Sequence, residues 1–291
     1  MACCVFWKLH LCQYPIRLKA VNDLVLDIGG TKCAVAHSDQ LEQRYEILTR
    51  DYAVPSEILS ELGHFARTKA FTSMGISFGG PFDFEAQKVM RSVHVSGWED
   101  FSFSDWAQKE FGVVAIADND ANVGALGEFV SRGSDLSSLV YVTISTGIGA
   151  GMILNGLLYR GQKNLAGELG HTVIDPTGPA DEMGNLGTLE RLCSGYWLEK
   201  DFGRPAIELL ADDEFLVSYA NNLSLGLGNL IRLLNPELIV LGGGITGAGP
   251  RLENLLKENM SKLLSESGSR IEFSTLGSTN VLIGARELAR N

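Results

Sequence analysis

The sequence is poor in every feature that would place it in a membrane, on a nucleic acid or in an oxidising compartment. No window of its 291 residues approaches the ~18 consecutive apolar residues of a membrane span. The opening stretch MACCVFWKLHLCQYPIRLKA looks briefly like an export signal. However, Lys8 and His10 cut its apolar run and no small-x-small cleavage site follows. Basic residues are scarce: 24 Lys and Arg stand against 35 Asp and Glu, a net charge of −11. Such a surface repels polyphosphate backbones and anionic lipid, so neither nucleic acid nor membrane is expected as a partner. A phosphate-bearing ligand would have to be held by local backbone N–H groups and a metal ion. Cysteine is limited to Cys3, Cys4, Cys12, Cys33 and Cys193, an odd set without paired spacing. That argues against a disulfide framework and for a reducing compartment, the cytoplasm by default. The G-x-x-x-x-G-K-[ST] phosphate loop is absent, which excludes a P-loop NTPase.

Glycine, by contrast, is abundant: 33 of 291 residues, where an average protein has roughly 7%. The glycines cluster at the ends of short apolar runs, where a backbone without Cβ can approach a ligand. Strand and helix patterns alternate, which reads as α/β. Strands are expected at Leu24–Ile28, Phe71–Phe78, Val113–Ala117, Leu139–Ser145, Leu238–Leu241 and Ile271–Phe273. Helices are expected at Pro55–Thr68, Ser104–Phe111, from Asp118-Asn119-Asp120 to about Phe129, Asp212–Leu234, Leu252–Leu264 and Val281–Arg290. LVLDIGGTKCAVA, from Leu24, is echoed by VYVTISTGIGAGMIL, from Val140: both read strand, glycine-threonine turn, strand. The echo suggests two domains of related topology, each offering a glycine turn to a shared cleft.

Three motifs mislead. Gly242-Gly243-Gly244-Ile245-Thr246-Gly247 matches the dinucleotide fingerprint, but the chain after Gly247 is too short for the rest of such a unit. A turn that lets an adenosine pack against a helix start fits better. Gly75-Ile76-Ser77-Phe78-Gly79 matches a nucleophile elbow, but Gly80-Pro81 opposes the helix an elbow needs. Glu168 and His171 are followed by Asp181, Met183 and Thr188, none of which is a dependable soft ligand, and no H-E-x-x-H or paired C-x-x-C accompanies them, so a structural metal is not expected.

Four segments then line up: Asp27-Ile28-Gly29-Gly30-Thr31-Lys32; Asn119-Asp120-Ala121-Asn122 with Ala125-Leu126-Gly127-Glu128; Ser145-Thr146-Gly147-Ile148-Gly149; and Gly167-Glu168-Leu169-Gly170-His171. With Leu241-Gly242-Gly243-Gly244 they resemble the ROK family (repressors, open reading frames, kinases) over about residues 23–291. The resemblance implies two α/β domains of the actin-like ATPase (ribonuclease H-like) fold with an inter-domain cleft. The expected boundaries are a loose extension at 1–20, an N-terminal domain at 21–118 and a C-terminal domain at 119–279. A last helix at about 280–291 would pack back on the N-terminal domain.

The resemblance also implies roles. Asp27, Gly29, Gly30, Thr31 and Lys32 would form the first phosphate turn, with Asp27 facing the Mg2+ of Mg-ATP through water. Thr146 and Gly147 would form the second, and Gly243 and Gly244 would border the adenosine. Asp120 resembles the catalytic base, accepting a hydroxyl proton as the bond to phosphorus forms. Asn119, Asp120, Glu168, His171 and Glu190 resemble the ligands of the sugar hydroxyls, for which amide, carboxylate and imidazole are suitable types. The expected activity is transfer of the γ-phosphoryl group of ATP to a hexose hydroxyl, O6 of a glucose-like sugar first. N-Acetylmannosamine, N-acetylglucosamine, fructose and mannose are alternatives, as is a non-catalytic sugar sensor. A homodimer is expected by resemblance alone.

Two departures from the family pattern stand out. Many members carry the zinc motif C-x-C-G-x-x-G-C-x-E; here Asp181, Met183 and Thr188 replace its cysteines while Gly184, Gly187 and Glu190 remain. No structural zinc is expected. Family repressors carry a helix-turn-helix domain before the first phosphate motif, and the stretch before Asp23 is too short for one.

Overall fold

A computed structural model describes residues 22–92, 96–133, 135–263 and 266–290; the extension expected at 1–20 lies outside them. The first half of the chain folds as β1 (Leu24–Ile28), β2 (Lys32–His37), β3 (Tyr45–Leu48), α1 (Pro55–Ala66), β4 (Ser73–Phe78), a small hairpin of β5 (Phe82–Asp83) and β6 (Lys88–Val89), α2 (Phe103–Phe111) and β7 (Val114–Asn119). The second half folds as α3 (Asp120–Arg132), β8 (Leu139–Ile144), β9 (Ile148–Leu154), β10 (Leu157–Tyr159), α4 (Leu189–Cys193), α5 (Gly195–Phe202), α6 (Ala206–Leu209), α7 (Asp213–Leu234), β11 (Leu238–Gly242), α8 (Gly249–Leu263), β12 (Arg270–Phe273) and α9 (Thr279–Ala289). No helix of the described residues is long and apolar enough to cross a membrane.

The sequence echo is a topological repeat. One sheet has the order β3-β2-β1-β4-β7 and the other β10-β9-β8-β11-β12. In each, the central strand pairs antiparallel with the strand that follows it and parallel with the next long strand. This is the actin-like ATPase fold, two α/β units facing each other across a cleft.

Each sheet is buried on both faces. In β1, Leu24, Leu26 and Ile28 pack toward α1 and α2, while Val25 joins Leu282, Ala285 and Leu288 of α9. This period-2 division makes β1 read as one apolar run. In β8, Val140, Val142 and Ile144 face Leu223 and Leu227 of α7, while Leu139 and Tyr141 face Ala125 of α3. Pro55 opens α1, and Ile58, Leu59, Leu62 and Ala66 form its buried stripe. Asp212 caps α7 by accepting the Phe215 N–H at 2.9 Å, and Asn235, with φ of 41°, ends it before Pro236.

The two halves meet where α3 crosses α9. A Cβ on Gly127 would run into the Asn280 carbonyl, and one on Gly284 into that of Val123. Backbone thus packs directly on backbone beneath the cleft, and α9 returns to lie on β1 and β4.

Candidate active site

The first turn of the cleft follows from the β1–β2 hairpin. Gly29 N–H donates to the Lys32 carbonyl at 3.1 Å, and Thr49 Oγ1 ties the Gly29 carbonyl at 2.7 Å. Asp27 lies one residue before the end of β1. Ser77, fully buried on β4, donates to Asp27 Oδ1 at 2.8 Å. The serine of the elbow-like motif therefore orients an acid and is no nucleophile. Burial pushes the Asp27 carboxyl up to about 6, although Ser77 and the charge of Lys32 oppose the shift.

Asp120 stands beside it. β7 ends in Asn119, whose side-chain oxygen accepts the Ala121 N–H at 3.0 Å and whose amide donates to the Gly80 carbonyl at 3.0 Å. Asn119 is thus the N-cap, and Asp120, the first residue of α3, faces the cleft. Burial, and then the charge of Asp27, raise the Asp120 carboxyl to about 7. Its proton affinity is matched to neutral pH, as a general base requires.

The second turn lies between β8 and β9. Ser145 N–H donates to the Gly147 carbonyl at 2.9 Å, and Gly195 and Tyr196 at the start of α5 donate to the carbonyls of Ser145 and Thr146. Glu190, on α4, accepts the Ile148 N–H at 2.7 Å. Glu168 and His171 sit across a single helical turn, 3.6 Å apart, with exposed side chains. Gly243, with φ of 84°, follows β11 against the Ile144 carbonyl, where a Cβ would clash. The fingerprint-like glycines therefore form a tight turn at residues 244–248 before α8 begins at Gly249.

All these pieces converge. A cleft of about 700 Å³ is lined by Asp27, Gly29, Gly30, Thr31, Lys32, Asn119, Asp120, Thr146, Gly147, Glu168, His171, Glu190, Gly243 and Gly244. Lys32 is not free there, since its ammonium pairs with Glu46 at 3.0 Å. The sequence missed Arg91, Tyr141, Asn164 and Ser278, which also line the cleft. Asn164 alone carries a local signal, because asparagine tolerates the left-handed backbone it adopts, with φ of 58°.

Among the described residues no three His, Cys, Asp or Glu side chains converge as a metal cage. Asp27 and Asp120, two carboxylates lining the cleft, are oxygen donors of the type a divalent cation takes. Around the zinc-motif positions the chain makes other bonds. Asp181 Oδ1 accepts the N–H groups of Met183 and Asn185 at 2.9 and 2.8 Å. Thr188 caps α4. The buried Arg191 grips Asp201 through two bonds of 2.6 and 3.1 Å, donates to the Ala180 carbonyl at 2.9 Å and stacks on Trp197.

The sequence matches the ROK family over residues 24–291. The chain belongs to the ROK family. A glucokinase of Halalkalibacterium halodurans is 26% identical to this ROK chain, with 91% of this chain and 94% of the relative covered. A xylose repressor of Bacillus subtilis is 28% identical over 91% of this chain and 72% of its own length. Among solved structures, a ROK hexokinase from Thermus thermophilus superposes with a TM-score of 0.78 at 30% identity, covering 92% of this chain and 97% of that one.

Proposed function

We propose that this ROK protein is an ATP-dependent sugar kinase that moves the γ-phosphoryl group to a hexose hydroxyl, O6 of glucose first. One observation carries the reading. Asp120, with its carboxyl raised to about 7, faces a cleft whose walls are two glycine turns from opposite halves of the chain. The turns at Gly29–Thr31 and Thr146–Gly147 offer backbone N–H groups to phosphate oxygens that a surface of net charge −11 would otherwise repel. Gly243 and Gly244 leave room for the adenosine.

Asn119, Glu168, His171 and Glu190 hold the sugar hydroxyls and align the reacting one with Asp120. Its oxygen bonds to the γ-phosphorus while the bond to the β–γ bridging oxygen breaks, leaving ADP. Its proton passes to the Asp120 carboxylate. Magnesium bound with the nucleotide would supply charge neutralisation of the phosphates. Asp27 would offer its carboxylate to that cation's shell.

The similarity to a xylose repressor favours one second reading, a sugar sensor that does not turn ATP over. Coupled detection of ADP across glucose, mannose, fructose, N-acetylmannosamine and N-acetylglucosamine separates the two. ADP release with one or more sugars supports the kinase. Sugar-dependent thermal stabilisation without ADP release supports the sensor.

A further inference from the structure

Asp118 has no solvent exposure and does not line the cleft, yet more bonds converge on its carboxylate than on any acid that does. Its Oδ1 accepts from Asn119 N–H at 2.8 Å, Asn122 Nδ2 at 3.1 Å and Asn164 Nδ2 at 3.1 Å. Its Oδ2 accepts from Arg160 Nε at 2.8 Å. Asp118 belongs to β7 of the first sheet, whereas Arg160 and Asn164 follow β10 of the second. The ion pair therefore crosses between the halves.

Two more contacts cross with it. The Arg160 guanidinium lies 3.5 Å over the Phe84 ring, and Asn164 Nδ2 donates to the Phe82 carbonyl at 2.8 Å. Both aromatic residues belong to the β5–β6 hairpin region of the first half. The bridging segment is bent sharply, with left-handed backbone at Gly161, Lys163, Asn164 and Gly167. Lys163 disfavours that conformation and Asn164 only tolerates it, so the bend is held by the bonds its residues make. For Asn164 these are the bonds to Asp118 and to the Phe82 carbonyl.

The segment leads directly into Glu168 and His171, and Asp118 directly precedes Asn119 and Asp120. We infer that Asp118 is a positioning residue: through Arg160 and Asn164 it sets the spacing between the two groups of sugar-binding side chains, one at the junction of β7 and α3 and the other in the segment after β10. The inference rests on the kinase reading for its effect on turnover, but the physical tie does not. A misplacement of about 1 Å in such a frame costs on the order of 100-fold in rate. The phosphate turns are held by separate bonds, so the nucleotide end escapes the effect.

The test compares Arg160→Met, Asp118→Asn and the double variant D118N/R160M with the wild type. The double variant removes both charges together, so it remains informative if R160M alone strands a buried carboxylate and fails to fold. Expected is a rise in sugar KM of about 10- to 100-fold with ATP KM within about 2-fold. The double variant should be no worse than the sum of its parts, and Arg160→Lys should recover part of the loss. Hydrogen exchange gives a readout independent of turnover: amides of residues 161–168 should exchange faster in D118N/R160M, although Asp118 lies in the other half. Equal shifts in both KM values, or unchanged exchange at 161–168, overturn the inference. A wild type that phosphorylates no sugar defeats the kinase reading alone, and the exchange arm still decides the tie.

Discussion

Glu190 Oε2 accepts the backbone N–H of Ile148 at 2.7 Å, so a side chain expected at the sugar also holds the second glycine turn. A Cβ on Gly147 would lie only 2.8 Å from that same oxygen, so a side chain there would push the Glu190 carboxylate aside. On the kinase reading, one carboxylate would thus serve both the sugar and the phosphate turn. Glu190→Gln keeps an oxygen for Ile148 and should raise the sugar KM while leaving the ATP KM near wild type. Glu190→Ala loses the turn as well and should raise both. Steady-state kinetics with each substrate varied in turn distinguish these outcomes, and a Gln variant with both constants raised equally would contradict the division of labour.

Asp120→Asn should leave sugar binding largely intact while kcat falls by about 10²- to 10⁴-fold, the usual worth of a positioned base. Activity within a few-fold of wild type would remove Asp120 from the proton transfer.

The raised carboxyls predict a pH signature. Asp120 must be deprotonated to accept a proton, so kcat/KM should climb from acid pH and level off above about 7. Stability should respond in the opposite sense. A carboxyl whose pKa is higher in the folded than in the unfolded state binds more protons when folded. Its contribution is therefore greatest below the ordinary aspartate value of 3.8 and is lost as pH rises through about 7. Asp120→Asn should melt above the wild type at pH 8, with the gap closing toward pH 4. A gap that widens on acidification would show the shift has the wrong sign.

The loop before α4 should need no zinc. Purified protein should contain well below one zinc per chain, and chelation followed by excess magnesium should preserve fold and activity. Arg191 is expected to do the holding, so Arg191→Ala should cost about 1–3 kcal/mol and raise the sugar KM through Glu190. Thermal melts and elemental analysis check both halves of this expectation. Stoichiometric zinc lost together with the fold would mean that other ligands replace the cysteines.

Local chemistry made much of this protein legible in its sequence. Period-2 and period-3.6 patterns locate β1, β4, β8, β11, α1 and α7, because burial on one or both faces leaves a direct imprint on the order of residues. The glycines are equally visible, since only a residue without Cβ fits against the Ile144 carbonyl in the turn after β11 or against the Asn280 carbonyl where α3 meets α9. The short helices α4 to α6 and the edge strands β3 and β10 escaped notice. They are too brief, and too exposed on one side, to impose a period. What no local pattern could supply is the effect of distant groups on one another. Asp120 is an ordinary aspartate in the sequence; only the fold brings Asp27 beside it and removes the water that would keep its carboxyl acidic. Asp118 likewise has no evident role in the sequence until the segment after β10 delivers Arg160 and Asn164 to it from the other half. Residue order sets which turns and strands can form. The desolvation and charge pairing that turn them into a site arise only when the two sheets close on a common cleft.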